Sequence, residues 1–600
     1  MLLAPADKPL DPPTVVMIGD YDVKRLEWCT DDRLLIWIDV HWELDGKPTG
    51  YRVGDWFIKA PLNRILSINL DGSESAILFG GQKRLSRQEF DLSTIIDKLP
   101  GDPNHILMQA WDSLKDCYVL YKVDVRTGEA AFFERGTQAT YGWFSQNGAP
   151  VVRFDSNRSG TITSLFTRAP GASDWKLYRK LRRNELLKFG ELDIVGVTPD
   201  EGVLLVATQQ PNDAARVIRR FDLRTLELGE VIAAQPGRDI DAVFVDEQAR
   251  LVATAFTDDR LDYTFFDPNW KTHYRSLAKF FKNDANLRLV DISLDHNRAV
   301  LSVTSPTQPG SWWVYDKAVG SLTPLGDSQP WLKDRLAPMK VLKVKSRDGL
   351  DLAAYLTTPL GPAGPRPLVI YPHGGPELRD SYDYDSFVQA FAAKGWMVLQ
   401  VNFRGSSGYG QAFADAGRKH WGVEMQNDIE DALAAVVATG EVDVGRVAIC
   451  GTSYGGYAAL MGAIKTPLAY KAIVSIEGVS DLIDMLAFSR REDGEDSPVY
   501  AYWRKTIGDP VEDRAQIEAA SPARRAKEFQ APVLLIHGNL DSIVPTDQSR
   551  QMSKALKAAN RPVKYVELRW VGHRGWDRET RQTIISETLD HIGKAFATPA

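Results

Sequence analysis

The sequence has few cysteines, no long hydrophobic run and no excess of positive charge. Its 3 cysteines, Cys29, Cys117 and Cys450, lie far apart and form no C-x-x-C pair, which argues against a metal cluster or a disulfide framework. No uninterrupted apolar stretch approaches the ~18 residues of a membrane span. The net charge of -7 argues against a nucleic-acid or anionic-membrane surface, because both require clustered Lys and Arg. We therefore expect neither a nucleic acid nor a membrane as partner.

The N-terminus also lacks a recognisable targeting signal. Met1-Leu2-Leu3 runs at once into a polar, proline-bearing segment, without a basic region or an adequate apolar one. This is not an intact signal peptide. We expect a cytoplasmic protein, and the alternative is a periplasmic or secreted one from which a signal peptide has been removed. The length of 600 residues exceeds what one hydrophobic core supports, so at least two domains are expected.

The first half of the chain has the pattern of an all-β region. Short runs of Val, Ile, Leu, Tyr and Phe alternate with turn signals such as Asp71-Gly72-Ser73. Units begin near residues 24, 93, 139, 193, 241 and 288, and the later ones recur at the period of propeller blades. We predict a β-propeller over residues 1–330 with six blades, and with an insertion at 42–63 in the first. The strand at 14–18 would belong to a seventh, incomplete blade; an irregular solenoid or two sandwiches is the alternative.

The periodicity changes after a polar, proline-bearing linker at residues 327–337. Short buried strands such as 368–371, 397–401 and 532–536 then alternate with amphipathic helix patterns. This alternation is typical of a parallel sheet covered by helices on both faces. We predict that residues 331–600 form an α/β-hydrolase domain.

A candidate nucleophile lies in Gly451-Thr452-Ser453-Tyr454-Gly455. The stretch follows an apolar strand at 446–450 and precedes a helix pattern at 456–463. Strand, G-x-S-x-G and helix form the context of a nucleophile elbow, in which glycines allow the sharp turn and the serine projects from it. A plain glycine-rich turn is the alternative.

A serine hydroxyl needs a base to accept its proton, and in this fold the chain order is Ser, acid, His. Three histidines follow Ser453. His591 lies within the terminal amphipathic helix and His537 directly ends an apolar strand, so we expect both to be structural. His573 lies in a loop after the last strand and is the predicted general base.

The acid that orients this base is predicted to be Asp541. It lies in the loop that follows the strand 532–536, where it would accept the Nδ1–H of His573 and fix its tautomer. A structural aspartate turn is the alternative interpretation. Glu567 is the second candidate acid, although it lies within a strand.

Acyl transfer also requires donors that face the developing oxyanion. The amide of Tyr454, directly after the nucleophile, is the first candidate. The second is either an amide in the glycine-bearing stretch 371–376 or the hydroxyl of Tyr409. The residues themselves do not decide between these two.

Five motifs together resemble the prolyl oligopeptidase family of serine peptidases, and most closely its acylaminoacyl-peptidase and dipeptidyl-peptidase-V-like branch. They are H-G-G-P at 373–376, R-G-S-x-G-Y-G at 404–410, G-x-S-x-G-G at 451–456, H-G-x-x-D-x-x-V-P at 537–545 and the late His573. The motif match covers residues 338–600, whereas the first half is similar only in architecture.

The resemblance implies hydrolysis of peptide bonds in a cavity between propeller and hydrolase domain, with the propeller limiting substrate size. It also implies two candidates for the second oxyanion donor. Tyr409 is at the position of the oxyanion tyrosine of prolyl oligopeptidases, and Gly375 matches the donor of the acylaminoacyl branch. The propeller sequence shows no convincing pair of glutamates of the kind that anchors a free amino terminus, which argues against strict dipeptidyl-peptidase activity.

We expect the pocket for the substrate side chain near the segment 479–507. Tyr457, Val479 and Trp503 are its candidate wall, which would favour an apolar or aromatic residue before the cleaved bond. The alternative is that Trp503 belongs to the hydrophobic core.

The sequence therefore predicts a serine peptidase that acts on short peptides through an acyl-enzyme, without a metal or organic cofactor. An esterase or a specialised amide or isopeptide hydrolase with the same triad is the alternative, because only the leaving group differs. A binding protein that works through its propeller is a third hypothesis, against which the complete triad counts. The oligomeric state is left open, with a homo-oligomer compatible with the sequence.

Overall fold

The computed structural model describes residues 1–19, 21–41, 49–53, 56–99, 101–182, 193–210, 213–245, 251–293 and 295–598. The chain divides into two compact units. The first comprises Met1–Leu186, Gly196–Val206 and Arg220–Glu230, and the second comprises Leu187–Val195, Ala207–Arg219 and Val231–Ala600. Within the described ranges, no helix is long and apolar enough to cross a membrane.

The first unit consists mainly of antiparallel sheets made of strands that follow one another in the sequence. Its elements are β1 Leu2–Leu3, β2 Thr14–Val15, β3 Asp22–Thr30, β4 Arg33–Val40, β5 Gly50–Val53, β6 Trp56–Lys59, β7 Leu62–Asn69, β8 Ala76–Ile77, α1 Lys83–Gln88, β9 Thr94–Asp97, β10 His105–Asp112, β11 Cys117–Asp124, β12 Ala130–Arg135, β13 Thr140–Gln146, β14 Ala149–Ser156, β15 Ile162–Thr167 and β16 Lys176–Arg182. Three four-stranded sheets result, with the orders β3-β4-β7-β8, β9-β10-β11-β12 and β13-β14-β15-β16. The pairs β1-β2 and β5-β6 form two further small sheets.

Three more sheets of the same kind follow. The next elements are β17 Asp193–Val197, β18 Val203–Thr208, β19 Val217–Asp222, β20 Glu227–Ala233, β21 Ala242–Val245, β22 Leu251–Thr257, β23 Leu261–Phe265, α2 Pro268–Phe280, β24 Asn286–Ile292, β25 Arg298–Ser305, β26 Gln308–Asp316 and β27 Ser321–Asp327. They form the sheets β17 to β20, β21 to β23 and β24 to β27, each in chain order. Residues of β17 to β20 are divided between the two units, and β21 to β27 belong to the second.

The prediction of a six-bladed β-propeller is confirmed. Over the described residues, the six sheets begin at residues 22, 94, 140, 193, 242 and 286, close to the predicted starts. The isolated strand near residue 14 pairs with β1 and adds no further four-stranded sheet. Parts of the predicted insertion, residues 42–48 and 54–55, lie outside the described residues.

The second half of the chain forms one eight-stranded sheet. Its strands are β28 Met339–Lys345, β29 Asp351–Thr357, β30 Arg366–Ile370, β31 Met397–Asn402, β32 Val442–Thr452, β33 Ala472–Ile476, β34 Val533–Gly538 and β35 Val563–Leu568. Their order is β28-β29-β31-β30-β32-β33-β34-β35. The pairs β28-β29 and β29-β31 are antiparallel, and the remaining neighbours are parallel. The predicted α/β-hydrolase fold is confirmed.

Helices cover both faces of this sheet. They are α3 Ser386–Ala393, α4 Gln411–Asp415, α5 Glu424–Val437, α6 Tyr454–Lys465, α7 Leu482–Glu492, α8 Pro498–Thr506, α9 Arg514–Ala519, α10 Asp547–Ala558 and α11 Arg578–Ala597, with 3-10 turns at Pro330–Leu332 and Pro522–Glu528. Apolar side chains of α5, α6 and α10 pack into one core cluster, and those of α3 and α11 pack into a second. Two-sided burial explains why the strands are continuous apolar runs.

The parallel strands bring their carboxyl ends to one edge of the sheet. Strand β32 ends at Thr452, β33 at Ile476, β34 at Gly538 and β35 at Leu568. In open α/β sheets, groups that follow these ends converge in a crevice. The residues after these four strands are therefore where a site is expected.

Candidate active site

Ser453 occupies a sharp turn between β32 and α6. Its backbone has φ 59 and ψ -121, which is an uncommon conformation for a residue other than glycine. The amide of Ser453 donates to the carbonyl of Ile476 at 2.9 Å, which ties the turn to the end of β33. Strained backbone of this kind persists where the surrounding structure holds it, and it concentrates at functional sites.

Two glycines allow the close packing around this turn. A Cβ on Gly451 would collide with the backbone of Gly455, and a Cβ on Gly455 would collide with the carbonyl oxygen of Pro372. The segment that follows β30 therefore lies directly against the start of α6. Any side chain at either glycine would separate the nucleophile from its surroundings.

The ring of His573 lies between Ser453 and Asp541, within hydrogen-bond distance of both. The Nε2 atom of His573 is 3.1 Å from the Oγ of Ser453, and its Nδ1 atom is 2.6 Å from Oδ2 of Asp541. All three follow strand ends at the same edge of the sheet. The structure thus brings together the three residues that the sequence predicted to act as nucleophile, base and acid.

The surroundings of Asp541 keep its carboxylate ionised. Burial works to raise its pKa, but contacts with His537 and His573 outweigh burial and the pKa is well below its usual range. The amides of Ile543 and Val544 each donate to Oδ1 at 2.9 Å. An ionised Asp541 accepts the Nδ1–H of His573, which leaves the Nε2 lone pair of His573 facing the serine hydroxyl.

The other two histidines and the second candidate acid occupy different environments. His537 is fully buried, with Nδ1 2.7 Å from Ser549 Oγ and Nε2 2.9 Å from the carbonyl of Val544; its Nε2 also lies 3.2 Å from Oδ2 of Asp541, so His537 supports the acid rather than replacing His573. His591 lies in α11 with Nε2 3.2 Å from the carbonyl of Pro532. Glu567 accepts two hydrogen bonds from Arg550, at 2.8 and 3.0 Å, at the partly exposed edge strand β35. These contacts are structural, and Glu567 is not engaged with His573.

Two backbone amides flank Ser453 where an oxyanion would form. Tyr454 is the first residue of α6, so its amide has no partner within the helix. A Cβ built on Gly374 would lie 3.5 Å from Ser453 Cβ, and Gly375 follows with φ +118. His373 holds this glycine segment, with Nε2 2.9 Å from Ser406 Oγ and its ring stacked on Phe403. These contacts favour the amide of Gly375 as the second donor.

The hydroxyl of Tyr409 is engaged in a different network. It accepts hydrogen bonds from Arg379 at 2.9 Å and from Asn402 at 2.7 Å. Arg379 also donates to the carbonyls of Thr257 and Asp258 at the turn between β22 and β23. Tyr409 is thus fixed by two donors, and its role at the oxyanion stays a prediction.

The predicted pocket wall lies inside the core. Tyr457 and Val479 are 0% and 1% exposed, and the hydroxyl of Tyr457 donates to the carbonyl of Ala520 at 2.9 Å. Trp503 is partly buried against the same cluster, with its ring 6.2 Å from that of Trp421. Tyr457 and Val479 therefore do not line an open pocket as predicted, because both are buried in the hydrophobic core.

An apolar pocket does lie within the predicted segment, between α7 and α8. Its volume is 370 Å³, and it is lined by Ile483, Leu486, Ala487, Arg490, Arg491, Tyr500 and Pro510. The sequence did not identify Ile483, Leu486, Ala487 or Pro510 as pocket residues, because helical periodicity does not distinguish a pocket wall from a core face.

One buried residue at the site was missed in the sequence. Glu477 directly follows β33, has no exposed surface, and places Oε2 3.5 Å from Nδ1 of His573. Burial raises the pKa of Glu477, the charge of His573 lowers it and that of Asp541 raises it, with a result of about 7. A single glutamate after an apolar strand carries no motif, so only the convergence of three strand ends reveals it.

The same three side chains carry ligand types that could hold a metal ion, and they lie close together. One atom each of Glu477, Asp541 and His573 lies within 4.8 Å of the others. Because Nδ1 of His573 donates its proton to Asp541, it has no lone pair to offer a metal ion. The geometry is that of a proton-holding site rather than a metal centre.

Comparisons with known proteins agree with this arrangement. Residues 382–598 match the model of the prolyl oligopeptidase family. The chain is 29% identical over 497 residues to dipeptidyl aminopeptidase BIII of Pseudoxanthomonas mexicana, which covers 79% of this chain and 69% of that protein. It is 27% identical over 292 residues to the acylamino-acid-releasing enzyme of Sus scrofa, covering 46% of this chain and 39% of that enzyme.

Solved structures share the whole fold. A puromycin-hydrolyzing peptidase of Mycobacterium tuberculosis superposes with a TM-score of 0.67 at 18% identity, covering 96% of this chain and 95% of that one. The acylaminoacyl peptidase of Pyrococcus horikoshii gives a TM-score of 0.61 at 16% identity and covers 97% of both chains. At this identity the likeness concerns architecture.

Proposed function

We propose that the chain is a serine peptidase of the prolyl oligopeptidase family, and that it hydrolyses peptide bonds of short peptides through an acyl-enzyme on Ser453. The observation that carries this proposal is the pair of contacts made by His573, at 3.1 Å to Ser453 Oγ and 2.6 Å to Asp541 Oδ2. The relatives named above as aminopeptidase and acylamino-acid-releasing enzyme support a peptide substrate.

Acylation begins when Nε2 of His573 accepts the hydroxyl proton of Ser453. The serine oxygen attacks the carbonyl carbon of the scissile bond, and the resulting imidazolium is stabilised by ionised Asp541. The same proton then passes from Nε2 to the leaving amine. The C–N bond breaks, and the acyl group remains on Ser453.

The negative charge that develops on the carbonyl oxygen would be bound by the amides of Tyr454 and Gly375. The first is a free amide at the positive end of α6, and the second is in the glycine segment packed against Ser453. Both are fixed before substrate arrives, so no reorganisation is required at the moment of attack.

Deacylation repeats these steps with water as nucleophile. His573 accepts a proton from water as the water oxygen attacks the ester carbonyl of the acyl-enzyme. The imidazolium of His573 then gives this proton to the oxygen of Ser453 as the C–O bond breaks. All of this chemistry uses protein groups alone.

Mutation of the nucleophile tests the proposal. Ser453→Ala is expected to abolish hydrolysis of peptide p-nitroanilides and labelling by a fluorophosphonate probe, while circular dichroism and the melting temperature stay close to those of the unmodified protein. Ser553→Ala is the matched control, because Ser553 is a buried serine of α10 whose hydroxyl has no partner among the described residues.

Substrate panels define the reaction further. Paired peptide amides and esters with the same acyl group, each with a free and an acylated amino terminus, should show amide turnover that depends on Ser453. Ester turnover without any amide turnover would contradict a peptidase. Retention of full activity in Ser453→Ala would contradict the whole assignment.

A further inference from the structure

Glu477 occupies the same kind of position as the nucleophile, one strand further along the sheet. The amide of Ser453 donates to the carbonyl of Ile476, and the amide of Glu477 donates to the carbonyl of Ile536 at 2.8 Å. Both residues have positive φ, 59 for Ser453 and 50 for Glu477. Two neighbouring strands therefore each end in a strained residue other than glycine whose side chain reaches His573.

The carboxyl group of Glu477 is buried without a hydrogen-bond partner. The side chain is 1% exposed, and neither Oε1 nor Oε2 makes a hydrogen bond of full geometry with the described groups; the amide of Gly538 has only the smallest of the effects on the pKa of this carboxyl group. Burying an unpaired carboxyl group and holding its backbone in the left-handed region both oppose folding. A buried, strained carboxyl group 3.5 Å from the ring of His573 points to a role at the site.

Three titratable groups face this carboxyl group. They are His573 after β35, Asp541 after β34 and His537 at the end of β34. Nδ1 of His573 lies 3.5 Å from Glu477 Oε2, too far for a hydrogen bond yet close enough for a strong charge interaction. Asp541 already accepts the Nδ1–H, so Glu477 is a second carboxyl group on the same side of the ring.

We propose that Glu477 is a positioning residue for the peptidase reaction, a second carboxyl group that stabilises the His573 imidazolium and engages its Nδ1–H when Asp541 is lost. In its ionised form it adds a negative charge beside the ring as the proton of Ser453 arrives. In its protonated form it leaves Asp541 as the single counter-charge. The inference rests on the proposed function.

The first experiment is a pH profile of kcat/KM for Glu477→Gln on a peptide p-nitroanilide between pH 5 and 9. The variant has lost the negative charge that favours the protonated form of His573. The acid side of its pH profile of kcat/KM is therefore expected at lower pH than in the unmodified enzyme. Its plateau above pH 7.5 is expected to be lower by roughly tenfold. At pH 5.5, where Glu477 is protonated, the two enzymes should differ little.

The matched control is Glu567→Gln, the same substitution on the neighbouring strand β35. Glu567 is paired with Arg550 and does not contact His573, so its profile should coincide with that of the unmodified enzyme. Glu477→Asp retains the charge on a shorter side chain, and its acid limb should stay close to the unmodified position. This variant decides the question if the glutamine variant does not fold.

The second experiment removes Asp541. Loss of the triad acid typically lowers kcat about 10⁴-fold, and Asp541→Ala is expected to lose less because Glu477 remains. Adding Glu477→Gln should then lower activity at least a further tenfold. A double variant as active as Asp541→Ala, or a Glu477→Gln profile identical to that of the unmodified enzyme, would overturn the proposal.

Titration with a fluorophosphonate separates this proposal from the proposed function. If the unmodified protein does not label at Ser453, the peptidase assignment fails. If it labels normally and the profile of Glu477→Gln is unchanged, only the role of Glu477 fails.

Discussion

Two buried carboxyl groups, one in each unit, differ in their hydrogen bonding. Asp112 ends β10 in the first unit and accepts hydrogen bonds from Arg84 at 2.6 Å, Lys115 at 2.5 Å, Tyr121 at 2.9 Å and the amide of Leu114 at 3.1 Å. Glu477 directly follows β33 in the second unit, and neither of its carboxyl oxygens makes a hydrogen bond of full geometry with the described groups.

Their proton affinities diverge accordingly. Burial works to raise the pKa of Asp112, but the bonds from Lys115, Arg84 and Tyr121 outweigh it and the pKa falls well below the usual range. Burial raises the pKa of Glu477 to about 7. A buried acid that supports the fold is fully paired, whereas one held beside a reacting group is left unpaired, at a cost in stability.

The largest effect on stability is expected where the pairing is complete. Asp112→Asn removes the charge that two cations and the buried Tyr121 hydroxyl share, which should destabilise the first unit by about 2–3 kcal/mol. Thermal or urea unfolding measures this. Asp116→Asn is the matched control in the same turn, since Asp116 is exposed and asparagine tolerates its positive φ. Equal stability of both variants would contradict the importance of the pairing.

Glu477→Gln is expected to stabilise the protein, in contrast to Asp112→Asn. Between pH 4.5 and 7 the unfolded chain ionises this residue while the folded one retains the proton, so the residue makes the unmodified protein less stable as pH rises through this window. Glutamine has no such dependence. Its melting temperature should match that of the unmodified protein near pH 4.5 and exceed it by on the order of 3–5 °C at pH 8.

A pH-independent difference between the two melting temperatures would show that Glu477 is ionised throughout. The pKa of Glu477 would then not be raised, and the contrast with Asp112 would fail. The same series on Glu567→Gln should show no comparable rise, because the pKa of Glu567 is lowered to about 2 by Arg550 and Tyr565.

The smallest effect, a change in kcat, is expected at Tyr409, whose hydroxyl accepts hydrogen bonds from two donors. Tyr409→Phe leaves Arg379 bonded to Asp258 and Asn402 bonded to Asp380, so both donors keep an acceptor. With Gly375 as the oxyanion donor, kcat should fall by less than about threefold. A loss of about 10²–10³-fold would instead identify the tyrosine as the donor. Steady-state kinetics on one p-nitroanilide substrate distinguishes these outcomes.

The parts of the molecule that repeat a local rule could be predicted from the sequence. The six blades followed from turn signals at a blade period, and the second sheet followed from alternation of strands and helices. Ser453, Asp541 and His573 were identifiable because a strand-turn-helix motif fixes the first, and chain order limits the choice of the other two.

The parts set by three-dimensional convergence could not be predicted in the same way. Tyr457 and Val479 follow the nucleophile and a strand, as pocket residues do, but both lie in the hydrophobic core, where the ring of Trp421 packs against that of Tyr457. The unpaired state of Glu477 depends on which side chains three different strands place around it. Neither outcome has a local pattern, because burial and pairing are properties of the assembled sheet edge.

The two glycines at 451 and 455 determine how this edge tolerates change. A single methyl group at either position would displace the backbone of α6 or the carbonyl of Pro372. A misplacement of about 1 Å typically lowers a reaction rate on the order of 10²-fold. Substitution of either glycine, neither of which touches a reacting atom, is thus expected to cost the enzyme most of its activity, although less than loss of the nucleophile itself.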